Sequence, residues 1–411
     1  MRTITKKSKK STSRKFVPAH QLGVGCADIT AQEKKYVMNA LDNERLSYGP
    51  YSQKFEKLFA EVHESRFAIF CNSGTSALQV AVACLKELEG WKDGDEILVP
   101  ALTFVATSNV VIQNNMVPVF VDAHPLTYNM NPKEIEAKIT PRTRAILPAH
   151  LFGLPCDMDP LTDIAKKHNL KIIEDSCETM FVKYKGRTVG SLGDISCFST
   201  YMAHFIVTGV GGLALTSNPD YAVVMKSLMN HGRDSIYLSM DDDKNLSKEQ
   251  LFKVVDNRFR FVRVGFSYRA TEMEAALGLA QVERRDQILK ARQQNAHTLL
   301  KQLKPLEEFL QLPTIPPGCE HAFMMFPIVL RTGKAQKDAV VHFLEENKIE
   351  TRDMLPLINQ PIYTKMFGDL EKSYPVAKHI NANGFYIGCH QRLSKQDLDY
   401  IVERFFAYFK K

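Results

Sequence analysis

Paired cysteines are missing from this chain. Its eight cysteines stand singly at positions 26, 71, 84, 156, 177, 197, 319 and 389, with no C-x-C or C-x-x-C spacing. That excludes a cysteine-held zinc or iron–sulfur centre and reads as buried thiols in a reducing cytosol; no metal site is expected. A charge excess is also missing from the body of the protein. Of 53 Lys and Arg, seven fall in residues 1–15, which hold no acid, so the remainder carries 46 basic against 46 acidic side chains. A neutral body excludes broad electrostatic binding to nucleic acid or an anionic membrane. The basic, Ser/Thr-rich residues 1–19 read as a disordered arm and, having no apolar core, not as a secretory signal. The stretch from Ile97 to Val121 carries no charge, yet Ser108-Asn109, Gln113-Asn114-Asn115 and two prolines interrupt it. Strand, helix and strand fit it better than a membrane span. Internal repeats are absent too.

What is present is an alternation. At 411 residues the chain exceeds the size of one growing core, so two domains are expected. Between about 65 and 300, short apolar runs alternate with helical patterns, the mark of a parallel sheet covered by helices. Candidate strands are Phe67–Cys71, Ile97–Val99, Pro118–Val121, Ala145–Ala149, Lys171–Asp175, Ile195–Ser199 and Gly212–Thr216. Gln32–Leu41 and Ser52–His63 read as helices joined by the turn-like Ser47-Tyr48-Gly49-Pro50. Thr271 and Glu274 have capping-box spacing at the head of a long bridging helix. The expected division is a large α/β cofactor-binding domain over 20–300 and a small α+β domain over 301–411. The latter holds a strand at Met324–Leu330, a helix at Ala335–Asn347 and a terminal amphipathic helix from Lys395.

Three segments carry chemistry. Asn72-Ser73-Gly74-Thr75-Ser76-Ala77 follows a strand and opens a helix, where backbone N–H groups, hydroxyls and a close-approaching glycine hold a phosphate or simply cap the helix. Lys171-Ile-Ile-Glu174-Asp175 ends a buried strand on two carboxylates, one of which would face a ligand at the edge where α/β folds bind them. Ser199-Thr-Tyr-Met-Ala-His204-Phe-Ile-Val-Thr-Gly209-Val-Gly211-Gly212 joins a hydroxyl that donates to phosphate, an imidazole that titrates near neutrality and glycines that permit close backbone approach.

In this order, together with Gly49-Pro50-Tyr51, Val99–Thr107, Gly190–Phe198 and Gly265-Phe-Ser-Tyr-Arg-Ala-Thr-Glu-Met, these motifs resemble the DegT/DnrJ/EryC1/StrS sugar aminotransferases over nearly the whole chain after residue 20. The resemblance implies a fold-type-I pyridoxal-phosphate (PLP) enzyme, dimeric, with active sites shared between subunits. It implies that Asp175 pairs with the pyridine nitrogen, that Ser73, Gly74, Thr75 and Ser199 lie at the cofactor phosphate, and that Phe104 stacks on the ring. Position 204 is normally the lysine that binds the cofactor covalently; here it is His204. Imidazole forms no stable imine but moves protons, so non-covalent pyridoxamine phosphate (PMP) is the expected resting form.

A subgroup with the same Lys-to-His exchange comprises nucleotide-sugar 3-dehydratases of 3,6-dideoxysugar synthesis, of the kind that supplies O-antigen lipopolysaccharide. Glu174-Asp-Ser-Cys-Glu178-Thr-Met and Gly384-Phe-Tyr-Ile-Gly-Cys-His390-Gln391 resemble it further, with Glu178 added to the cofactor-binding set. The implied reaction removes the C3 hydroxyl of a nucleotide-linked 4-keto-6-deoxyhexose, with His204 and Asp175 catalytic and glutamate as the amino donor. Scattered cysteines point away from the iron–sulfur branch of that subgroup. Three positions depart from the pattern: Val210 stands for an acid, Phe205 for a polar residue, and Ser267 for the asparagine that reaches the partner subunit's phosphate. The alternatives are another reaction on a 4-keto nucleotide sugar, or a non-catalytic homologue that binds cofactor or sugar nucleotide.

Overall fold

The computed structural model describes residues 16–234, 247–257, 259–331 and 334–410. Residues 1–15 of the expected basic arm therefore lie outside the described residues.

A seven-stranded sheet organises the larger part. Its strands are β1 (Phe67–Cys71), β2 (Glu96–Pro100), β3 (Val117–Val121), β4 (Thr143–Ile146), β5 (Lys171–Asp175), β8 (Ile195–Ser199) and β9 (Gly212–Thr216). Between β5 and β8 a small hairpin, β6 (Lys183–Tyr184) with β7 (Arg187–Thr188), stands apart. The order across the sheet is β1-β9-β8-β5-β4-β2-β3, and only β9 runs against its neighbours. Strands covered on both faces need apolar side chains throughout, and β2, β8 and β9 are buried at every position. The remaining candidate, Ala145–Ala149, leaves the ladder after Ile146, although Ala149 keeps a single bridge to Asp175.

Helices α1 (Ala31–Asp42), α2 (Pro50–Val62), α3 (Gly74–Leu88), α4 (Val105–Gln113), α5 (Met158–His168), α6 (Pro219–Met229) and α7 (Lys248–Asn257) accompany this sheet along the chain. Thr271 and Glu274 form the expected capping box on α8 (Glu272–Glu283). The helix beyond is not continuous: Arg284 turns out of helical geometry before α9 (Arg285–Leu303). Its guanidinium is drawn instead to Glu33 and Asp28. The fully buried Glu272 accepts from the backbone N–H groups of Gly49 and Ser52 and so caps α2.

A second, antiparallel sheet has the order β10 (Leu310–Gln311), β11 (Phe326–Leu330), β13 (Gly384–Ile387), β12 (Thr351–Asp353). It is accompanied by α10 (Lys334–Glu346), α11 (Pro361–Phe367), α12 (Pro375–Asn383) and α13 (Lys395–Phe409). Its core joins Phe326, Phe385 and Phe405 to Leu299 and Leu303 of α9 and to Leu22. The two sheets are tied by Asp122, just past β3, whose buried carboxylate accepts from Val376 N (2.9 Å) and Ala377 N (2.8 Å) at the start of α12.

Because β1, β2, β4, β5 and β8 run the same way, their carboxyl ends deliver residues 72–75, 101–104, 147–151, 175–178 and 199–204 to one edge of the large sheet. Among the described residues no helix is long and apolar enough to cross a membrane.

Candidate active site

A cavity of about 380 Å³ opens at that edge. Ser73, Gly74, Thr75, Phe104, Asp175, Glu178, Ser199 and His204 all line it, while Met324, Met325, Leu355 and Tyr386 close it from the side of the second sheet.

One wall is the start of α3. Ser73 is the N-cap; its Oγ accepts from Ser76 N at 3.0 Å and donates to Ser76 Oγ at 2.9 Å, whose own hydrogen goes to Asn72 Oδ1, so the hydroxyl is already spent on the helix. The first turn leaves backbone N–H groups without helical partners, and a 15-residue helix adds its positive end to them. Room for an anion there depends on two glycines. A Cβ on Gly74 would meet Ser199 Cβ at 2.7 Å and Cys177 Sγ at 2.9 Å, and one on Gly212 would meet Gly74 N at 2.4 Å. The bare backbones of α3, β8 and β9 thus converge, with the exposed Thr75 side chain and Ser199 beside them.

The two carboxylates that end β5 divide their work. Glu174 is fully buried and accepts from Gly190 N (3.0 Å), Leu192 N (2.7 Å) and Gly193 N (2.6 Å). His150 Nε2 lies 3.1 Å from it, and His150 Nδ1 accepts from Cys156 N, so Nε2 carries the hydrogen that it donates to Glu174. Glu174 holds the loop after β7 in place. Asp175 faces the cavity, accepting from Thr107 Oγ1 (2.7 Å) and Cys177 N (3.2 Å). Burial raises its pKa above the usual carboxylate range, and the Thr107 and Cys177 hydrogen bonds only partly offset it. Such a group gains from a cation in the cavity. Burial likewise pushes Glu178 up to about 7, where it accepts from Phe152 N.

His204 sits in a turn closed by its own N–H on Tyr201 O. Its Nδ1 lies 3.1 Å from Ser199 O. A carbonyl oxygen only accepts, so Nδ1 carries the hydrogen and Nε2 keeps the lone pair. Burial, aided by the nearby Arg292, pushes its pKa down to about 4 against the Ser199 bond, leaving the ring neutral at physiological pH. No lysine lines the cavity among the described residues.

Sequence reasoning missed Thr103 and Thr107, whose hydroxyls lie 2.8 Å apart and lead to Asp175. Their i, i+4 spacing at the head of α4 is the signal that would have found them. Tyr386, not His390 or Gln391, is the member of the C-terminal motif at the cavity. Ser267 is not brought to this cavity. It lines a separate one of about 270 Å³ with Tyr48, Glu56, Lys226, Asn230 and Arg269, because the 265–271 segment runs along the opposite side of β1. Phe205 also points away, with its ring 4.9 Å from the Arg292 guanidinium, whereas Val210 lies on the cavity wall and is half exposed.

Residues 27–406 match the DegT/DnrJ/EryC1/StrS aminotransferase family. The chain belongs to that family. The GDP-perosamine synthase of Caulobacter vibrioides is 34% identical over 385 residues, 93% of this chain and 96% of that one. The dTDP-4-dehydro-2,6-dideoxy-D-glucose 3-dehydratase of Saccharopolyspora spinosa is 32% identical over 372 residues, 87% of this chain and 80% of that one. A crystal structure of a GDP-4-keto-6-deoxymannose-3-dehydratase with a trapped PLP-glutamate geminal diamine matches with a TM-score of 0.81 at 25% identity. It covers 93% of this chain and 99% of the other. As a DegT-family member the chain has the fold of fold-type-I PLP enzymes. The residues present fit that cofactor: the glycine-lined cradle at α3 suits a phosphate, the buried acid Asp175 suits a protonated ring nitrogen, and the 57% exposed Phe104 offers a stacking face.

Proposed function

We propose that this protein is a PMP/PLP-dependent 3-dehydratase acting on a nucleotide-linked 4-keto-6-deoxyhexose. The observation that carries the reading is a neutral histidine, with a free Nε2, in a cavity that no lysine lines among the described residues. The 34% identical relative is named a synthase of an amino sugar. Amino transfer through a covalently held cofactor needs an amine that this cavity does not supply among the described residues.

When bound, PMP supplies an amine for the sugar's 4-keto carbon and a ring that takes up electrons. Backbone N–H groups of Gly74 and Thr75, with Ser199, hold its phosphate, and Phe104 covers one ring face. Asp175 keeps a proton on the ring nitrogen, held in orientation by Thr107. His204 Nε2 accepts the proton released in the cavity and then donates it as the 3-hydroxyl departs. Glu178, poised near neutrality, holds a second proton within the same cavity. Water is kept out by Met324, Met325 and Leu355.

Glutamate is the amino donor in this reading, and the working form is a homodimer. Phe104, Tyr201, Met202 and Val210 are 43–57% exposed at and beside the cavity mouth, an apolar rim that a second copy would cover. Ser267 and Arg269 would then stand near the neighbouring site.

The test is product analysis. Purified protein, PMP, glutamate and GDP-, CDP-, UDP- and dTDP-linked 4-keto-6-deoxyhexoses are incubated separately and the sugars identified by mass spectrometry and NMR. One of them should yield a 3-deoxy-4-keto sugar. A 4-amino sugar, or no turnover of any of the four, overturns the reading.

A further inference from the structure

Arg292 is a buried cation with no carboxylate to balance it. It is fully buried on α9, and its Nη1 donates to Met324 O at 2.8 Å and its Nη2 to His204 O at 3.3 Å. Its Nε is buried and unpartnered. The guanidinium lies over the Phe205 ring, 4.9 Å from the centroid. Among the described residues no acid pairs with it; the titratable groups that act on its own charge are the thiols of Cys26 and Cys389. Taking a guanidinium out of water without a counter-ion costs several kcal/mol, and an apolar side chain of similar volume would pack there without that cost. Its two hydrogen bonds go to two places: the turn that carries His204, and Met324 on the facing wall of the cavity.

We propose that Arg292 is the positioning residue for His204, pinning the 204–205 backbone against the second sheet and placing a fixed positive charge behind the imidazole. The proposal rests on the dehydratase reading for its catalytic meaning but not for its physical content. The fork suits the task because one planar group reaches two carbonyls on different elements, which a lysine ammonium does not match. Phe205, which replaces a polar residue usual at that position, supplies the aromatic face over which the guanidinium rests.

A positive charge close behind the ring disfavours imidazolium. The groups around His204 support that assignment. Ser199 O on β8 favours the protonated ring, Tyr201 meets it edge-on at 6.2 Å without charge, and Arg292 on α9 opposes protonation. Asp175 and Glu178 of the β5 end line the same cavity. His390, beyond β13, has its own pKa lowered by burial and then by the same arginine.

The experiment is a titration of His204 by NMR in the cofactor-loaded protein labelled with [ε1-13C]histidine, the resonance being assigned with H204N. R292Q keeps amide donors without the charge; R292K keeps the charge without the fork. R292Q should raise the His204 midpoint. R292K should leave it within a few tenths but split or broaden the resonance as the turn loses its second anchor. An unchanged midpoint in folded R292Q overturns the electrostatic part. Should R292Q not fold, a single sharp wild-type resonance in R292K together with wild-type turnover overturns the positioning part. No sugar is present in the titration, so a moved midpoint in a protein that fails to dehydrate sinks the functional reading and leaves this one standing.

Discussion

On the proposed reading, an imidazole at position 204 trades a covalent bond for a proton carrier. Its Nδ1–H is fixed by Ser199 O, which leaves Nε2 as the basic atom, and burial keeps the ring neutral. Replacing it with a primary amine should reverse the trade. In H204K the PLP form should become linked to position 204, trapped by borohydride reduction and found in the peptide mass spectrum, while dehydration falls by about 10²–10⁴-fold, the usual worth of a general base. Reduction that traps PLP on another lysine of the wild type would contradict the assignment. Asp175 and Glu174 teach a related lesson. Neighbours on a strand point to opposite faces, and in a parallel sheet both faces are covered, so polarity alone did not say which carboxylate reaches the ligand. Three backbone donors occupy Glu174 and leave Asp175 as the one on the cavity wall.

At the scale of elements, the cradle depends on how closely α3, β8 and β9 approach. Gly74→Ala puts a methyl within 2.7 Å of Ser199 Cβ and 2.9 Å of Cys177 Sγ. Neither neighbour is the far end of a flexible chain, so the start of α3 must shift. The expected result is cofactor affinity weakened by about tenfold or more, roughly 1.4 kcal/mol, together with a lower thermal midpoint for the cofactor-free protein. Equal affinity for the cofactor would show that the phosphate binds elsewhere. Several elements were legible because their signals are local: the Thr271–Glu274 capping box and the apolar runs of β1, β5, β8 and β9 needed no distant partner. The break between α8 and α9 was not, because it follows from Arg284 reaching Glu33 and Asp28 some 250 positions away. Ser267 was expected, by resemblance, at the partner subunit's phosphate, and in this chain it lines the separate cavity beside β1.

The whole molecule stores several buried neutral histidines. Burial pushes His63 and His390 down to about 4 and His321 to about 3. Each has a folded pKa below its unfolded value near 6.5, so the unfolded chain takes up protons first as pH falls. Their contribution is complete above about pH 6.5 and is lost as pH drops toward 4 and then 3. Glu178, raised to about 7, acts with the opposite sign from 7 down to about 4.5, and the raised Asp175 and Glu56 share its sign, but four imidazoles, His204 included, lose their neutral-state contribution over that window. Urea midpoints should fall clearly between pH 7 and pH 4.5, and by less in His63→Phe, whose ring packs among the same Phe59, Phe181 and Phe198 side chains. A wild-type midpoint independent of pH across that window would mean these rings are not held neutral. At this scale the sheet with helices was readable from the alternation of apolar runs. How the second sheet closes the cavity, through Met324, Met325, Leu355 and Tyr386, was not, since it depends on side chains brought together from distant segments.

The most direct test of the histidine's role is hydrogen exchange at the aminomethyl carbon of PMP in D₂O with the substrate sugar present. Wild-type protein should exchange one of the two hydrogens, and folded, cofactor-binding H204N should exchange neither; exchange in H204N at the wild-type rate would mean that another group moves the proton.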